Sequence, residues 1–152
     1  MPRLREGTVS GFFRLLARLE HLARHAVGVR VRLQRRLDGI AVAAAECGDG
    51  FPEHGSFKRF LFEHASAQAM LDTINQAPEP VEDQWQVQLL ALILVRARVG
   101  VYSQIAPDDI RRAHMEPVAD IAARVAAELD RIGPDQPIAV LPEGPMTIPY
   151  LA

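Results

Sequence analysis

A chain of 152 residues that is 49% hydrophobic and 24% charged is the size of one domain with a buried core, and this composition excludes a disordered tail. Its longest apolar run, Leu89 to Val95, falls far short of the roughly 18 residues of a membrane span. Charges scattered through the N-terminus argue against a secretory leader, and the lone Cys47 leaves no internal disulfide, so the cytoplasm is the expected compartment.

The net charge of −2 conceals a split. Residues 1–37 hold nine arginines (3, 5, 14, 18, 24, 30, 32, 35 and 36) against Glu6 and Glu20, whereas the remainder is acidic. Within this stretch Phe12, Phe13, Leu15, Leu16, Leu19 and Leu22 fit a helical face with Arg14, Arg18 and Arg24 beside it. After His25, the alternation Val27-x-Val29-x-Val31-x-Leu33 suits an edge strand.

From Asp38 onward the signals sharpen. Gly39-Ile-Ala-Val-Ala-Ala-Ala reads as a strand buried on both faces, ending in the acidic, glycine-rich loop Glu46-Cys-Gly-Asp-Gly-Phe-Pro. Ser56 caps a short helix carrying Phe57, Phe60, Leu61 and His64, and Ser66 opens another with Ala69, Met70 and Ile74 on one face. After the break Gln76-Ala-Pro-Glu-Pro, residues 83–96 form an apolar helix with Trp85, Leu89, Leu92 and Ile93 at helical spacing. Val99-Gly-Val-Tyr-Ser is a short strand. Pro107-Asp-Asp starts a helix, with proline early and acids in the first turn, and Val118 to Ile132 is an amphipathic helix stopped by Gly133-Pro134. Pro137-Ile-Ala-Val-Leu-Pro reads as a third buried strand, followed by an extended, proline-locked tail.

The order strand, helices, strand, helices, strand is that of an α/β domain. The expected architecture is a small, mostly parallel sheet of three to four strands flanked by helices, a partial three-layer domain. A sheet this narrow leaves an edge through which the chain can self-associate.

The chain contains no GxGxxG, Walker A, HExxH or CxxC pattern. His21 and His25 share a helix face but lack a third ligand, so no metal site is assigned. His54 and His64 read as a loop polar group and a helix-end residue. Glu46 and Asp49 flank the loop at the carboxyl end of a strand, where open sheets place ligands. A bland reading stays open beside this one: an Asp49-Gly50 turn, with Glu46 accepting backbone N–H bonds. Trp85 serves either as a core anchor or, with Asp83, Gln84, Gln86 and Gln88 about it, as a wall of a polar pocket. The N-terminal arginines lack the aromatic interleaving of a nucleic-acid site. Arginine outnumbers lysine sixteen to one, as GC-rich coding produces, which explains them without a ligand.

Taken together, Ala44-Ala-Glu-Cys-Gly-Asp-Gly-Phe-Pro, Phe60-Leu-Phe-Glu-His, Asp83-Gln-Trp-Gln-Val-Gln, Val101-Tyr-Ser and Val140-Leu-Pro-Glu-Gly-Pro-Met-Thr-Ile-Pro-Tyr-Leu resemble the C-terminal domain of the nickel-dependent lactate racemase family. The resemblance runs from about Gly39 to the end, which sets residues 38–152 apart from the atypical, arginine-rich residues 1–37. It implies racemisation or epimerisation of a 2-hydroxy acid. A nickel-pincer nucleotide takes and returns the α-hydride, and paired histidines handle the hydroxyl proton. The resemblance places the cofactor tether, the nickel ligand and those histidines in an N-terminal domain, so no catalytic residue and no metal ligand is expected in this chain. A Tyr-Gln-x-x-Lys cluster is replaced here by Leu22-Ala-Arg-His-Ala-Val-Gly, leaving Trp85 as the family's cleft residue.

The expectation is therefore a C-terminal piece that supplies one wall of the substrate cleft, with Trp85, Glu46 and Asp49 as candidates, and that is inactive alone with no cofactor bound. Residues 1–37 are expected to come from a shifted reading frame or an internal start, which comparing the three frames around codon 38 tests. Two alternatives stand beside this. A separate N-terminal-domain chain completes a split racemase, or the basic arm binds nucleic acid with steep salt dependence.

Overall fold

A computed structural model describes residues 39–53 and 55–140. The helix expected at 12–22 and the strand expected at 27–33 lie outside the described residues. Three parallel strands make the sheet in the order β1 (Ile40–Ala44), β2 (Arg98–Tyr102), β3 (Glu116–Pro117). Ile40 stands opposite Arg98, Ala44 opposite Tyr102, and Gly100 opposite Glu116. The class is α/β with a small parallel sheet, as the element order requires.

Three helices connect β1 to β2: α1 (Phe57–Glu63), α2 (Ala67–Gln76) and α3 (Gln84–Leu94). Ser66 caps α2 by accepting a hydrogen bond from the Ala69 N–H at 3.1 Å, which satisfies one of the amides that a helix start leaves unpaired. The short α4 (Pro107–Arg112) leads into β3. Proline at its start gives up an amide that had no partner to lose. The last helix, α5 (Ile121–Ile132), is capped by the Asp120 carboxylate on the Ala123 N–H at 2.9 Å and stops at Gly133, whose φ of 112° favours glycine.

The core lies on one face of the sheet. Ala43, Val99 and Val101 form a single cluster with Phe57, Leu61, Met70, Ile74, Val87, Leu90 and Ala91 from α1, α2 and α3. Each fully buried aliphatic or aromatic side chain there contributes about 1.5–3 kcal/mol relative to exposure.

On the opposite face, α5 is fastened to the sheet by ion pairs. Arg98 of β2 donates from Nε and Nη2 to the two oxygens of Glu116, at 2.8 and 3.1 Å, and from Nη1 to Glu128 at 3.3 Å. Arg124 reaches Glu116 at 2.9 Å and Glu128 at 3.2 Å, and Arg131 reaches Glu128 at 2.5 Å. The hydrogen bond from Arg131, with the charges of Arg98, Arg131 and Arg124, holds the Glu128 carboxyl below its ordinary value although burial pushes it up. The Arg98 guanidinium, hydrogen-bonded to Glu116, is raised above its ordinary value.

Three expectations are corrected. The first strand is not buried on both faces: Ile40, Ala41 and Val42 are half-buried and Ala44 is exposed. The ionic contacts of α5 fall on β2 and β3, so β1 is incompletely covered on that side. The third strand is Glu116–Pro117, not the run starting at Pro137. Ile138 and Val140 are 54% and 76% exposed and belong to no strand among the described residues, so the apolar pattern there is not matched by burial. Finally, α3 turns Val87, Leu90 and Ala91 inward, while Leu89, Leu92 and Ile93 are half-buried. A helix apolar on nearly every side has no preferred face, so packing against α2 sets its rotation.

Candidate functional site

Parallel strands bring their following loops to one end of the sheet, and Glu46 and Asp49 lie in the first of those loops. The loops after β1 and β2 are joined by backbone hydrogen bonds: Ala45 N–H donates to the Tyr102 carbonyl at 3.0 Å, and Gln104 N–H to the Glu46 carbonyl at 2.9 Å. The Gln104 side-chain amide also reaches the Glu46 carboxylate at 3.5 Å. Glu46 thus receives a backbone N–H on its main-chain oxygen, while its exposed carboxylate keeps acceptor capacity. Gln104, 58 residues away in sequence, has no local pattern that could have singled it out.

The loop then turns sharply. Gly50 N–H donates to the Cys47 carbonyl at 3.0 Å, so the turn centres on Gly48-Asp49, one residue earlier than an Asp49-Gly50 turn. Cys47 is 1% exposed with φ of 47°, and Asp49 is exposed. Beyond the turn, Phe51 and Pro52 are buried, and Phe51 packs edge-on against Phe62 of α1 at 5.3 Å. The Arg112 guanidinium covers the Phe62 ring at 4.1 Å, and Lys58 pairs with Glu53. This bracing gives the loop a fixed base.

Trp85 stands in the first turn of α3. The Asp83 carboxylate just before it occupies the space a β-carbon would take at Gly55, whose φ of 75° suits glycine. That contact sets the start of α3 against the loop following β1. The indole is 61% exposed, so Trp85 is not a core anchor. No hydrogen bond links it to Glu46 or Asp49 among the described residues. Glu46 and Asp49 share the loop after β1, and Trp85 stands apart from them in sequence at the start of α3.

The histidines divide. His21, His25 and His54 lie outside the described residues. His64 closes α1, with Nδ1 2.8 Å from the Phe60 carbonyl and Nε2 3.1 Å from Thr73 Oγ1, which makes it the helix-end residue its position suggests. His114 adopts φ of 62° and has a buried Nε2 without a hydrogen-bond partner. Among the described residues, no three His, Cys, Asp or Glu side chains converge as a metal site would require, and no helix is long and apolar enough to cross a membrane.

The described residues form a small parallel α/β unit whose loops after β1 and β2 are joined by backbone hydrogen bonds. Residues 32–148 match the lactate racemase C-terminal domain family, and the chain belongs to that family. It is similar to the lactate racemase of Thermoanaerobacterium thermosaccharolyticum, at 28% identity over 109 residues covering 70% of this chain and 25% of the relative. It also resembles the apoprotein structure of lactate racemase from the same organism, with a TM-score of 0.61, 28% identity, and coverage of 70% of this chain and 26% of that one. The chain thus spans about a quarter of the length of the relative it matches.

Proposed function

We propose that this domain forms one wall of the cleft of a lactate-type, 2-hydroxy-acid racemase. It presents Trp85, Glu46 and Asp49 toward a complementary N-terminal domain that supplies the rest. The observation that carries the reading is that Trp85, at the start of α3 in a member of the lactate racemase C-terminal domain family, leaves its ring largely exposed. A large apolar ring left 61% in water suits an apolar wall for something that closes over it. Carboxylates only accept hydrogen bonds, so Glu46 and Asp49 suit hydroxyl donors of a substrate or nucleotide and not a substrate carboxylate.

A nickel-pincer nucleotide, the group the family resemblance implies, supplies hydride transfer in this reading. The described residues do not converge into a nickel ligand set, and Lys58 is engaged with Glu53. What this chain contributes is shape, water exclusion and acceptor oxygens.

The test is racemisation of L-lactate followed by chiral chromatography. The purified chain is expected to give no turnover even with the pincer cofactor added. Turnover by the chain alone overturns the reading. A lactate racemase N-terminal domain carrying its cofactor, added in trans, is expected to quench Trp85 fluorescence. Restored turnover on mixing favours a split enzyme over an inactive wall.

A further inference from the structure

The two loops joined beyond the strand ends carry a pair of side chains that leave most of each other's hydrogen-bonding capacity unused. Gln104 is anchored through its backbone: its N–H donates to the Glu46 carbonyl at 2.9 Å. Ile105 beside it is 6% exposed and donates its own N–H to Ser103 Oγ at 3.2 Å. From that anchor the Gln104 side chain lies across the loop after β1. A β-carbon at Gly48 would stand 3.4 Å from Gln104 Oε1, and Gln104 Nε2 lies 3.5 Å from Glu46 Oε1. A carboxylate only accepts hydrogen bonds, so the amide nitrogen is the end that faces it. At 3.5 Å, the outer limit of a hydrogen bond, neither group satisfies the other. Both residues are exposed.

We infer that Glu46 and Gln104 together form a subsite for the vicinal hydroxyls of a neutral sugar ring, a diol of the ribose type. The inference rests on the reading of this end of the sheet as a cleft wall, and adds Gln104 and a ligand class to it. The Glu46 carboxylate accepts from ligand O–H groups, while the Gln104 amide beside it has N–H groups to donate to a hydroxyl oxygen. Only a group that both gives and takes hydrogen bonds matches the pair. A vicinal diol offers two such groups side by side, as the carboxylate and the amide stand side by side. Glu46 and Asp49, both exposed, make the loop after β1 acidic, which disfavours a carboxylate or phosphate at this point.

Nuclear magnetic resonance of the full chain, with no other domain added, tests the subsite with methyl β-D-ribofuranoside as the probe. Saturable shifts are expected at the Gln104 side-chain amide and at the Gly48 and Gly50 N–H groups. The 2-deoxy analogue should bind at least about tenfold more weakly, since a hydrogen bond to a charged pair is lost. Glu46→Ala and Gln104→Ala should each weaken the riboside to a similar extent, with amide spectra unchanged away from the two loops. The deoxy comparison needs no variant, so it decides even where a substitution disturbs folding. The subsite is overturned by the absence of saturable shifts, by equal binding of the deoxy analogue, or by riboside binding that survives both substitutions. L-lactate displacing the riboside at these resonances also overturns it, because the hydroxy acid is then the ligand. Turnover is no part of this readout. Loss of the subsite leaves the cleft-wall reading to its own racemisation and quenching test, and failure of that test leaves diol binding by this chain still measurable.

Discussion

On one face of the sheet, Val99 and Val101 are 1% exposed within a cluster of aromatic and aliphatic side chains. On the other, three arginines and two glutamates tie β2 and β3 to α5. The first arrangement is non-directional and stabilises in proportion to area removed from water. The second is directional: each guanidinium fixes a carboxylate in one geometry, and breaking a partner leaves charge uncompensated. The comparison teaches that this domain takes its stability from one face and the placement of its last helix from the other.

The largest effect should come from the apolar face. Leu90→Ala is expected to cost about 3–5 kcal/mol in denaturant unfolding, and a loss under about 1 kcal/mol would mean that the core is not where stability resides. Glu128→Ala is expected to cost about 2–3 kcal/mol, the scale of hydrogen bonds to charged groups, less than the core because Arg98 and Arg131 remain partly exposed. If Glu128→Leu proves as stable as the parent, the network orients α5 without stabilising it.

The same glutamate gives a pH signature. Its carboxyl is held below the ordinary value in the folded chain, so its stabilisation is complete above the ordinary carboxylate range and is lost as pH falls through the lowered value. Thermal midpoints measured from pH 7 downward should therefore fall less steeply in Glu128→Gln than in the parent. Equal slopes would break the assignment. Arg98, raised from an already high value, adds nothing to the pH dependence in this window.

Between the two faces lies Gly100. A β-carbon there would stand 2.9 Å from Val118 Cγ2 and 3.2 Å from Ile40 Cδ1, so Gly100→Ala is expected to cost about 1–3 kcal/mol by overpacking. The smallest effect belongs to the candidate site. Trp85→Ala should change stability by no more than about 0.5 kcal/mol, since the ring is mostly in water. A loss of several kcal/mol would move Trp85 from the cleft to the core.

Legibility followed the strength of the local signal. The Ser66 cap and the apolar run at residues 40–44 were readable because a cap is a short-range pattern and a strand's composition is visible in place. The face of α3 was not, because its residues are apolar nearly all round and its rotation is a tertiary choice. Glu116–Pro117 has neither the length nor the pattern of a strand and pairs only because β2 lies beside it. Candidates for the site could be named: Glu46 and Asp49 by the strand-end rule, and Trp85 by its polar flanks and the family resemblance. Gln104 could not, since only the parallel register brings it to Glu46.

That register has a further effect. Because Gln104 N–H holds the Glu46 carbonyl, the two loops form one rung beyond the end of the sheet, and neither can shift without its neighbour. A molecule settling against either would find both in position, so the entropy of ordering them is already lost on folding and does not weaken its affinity.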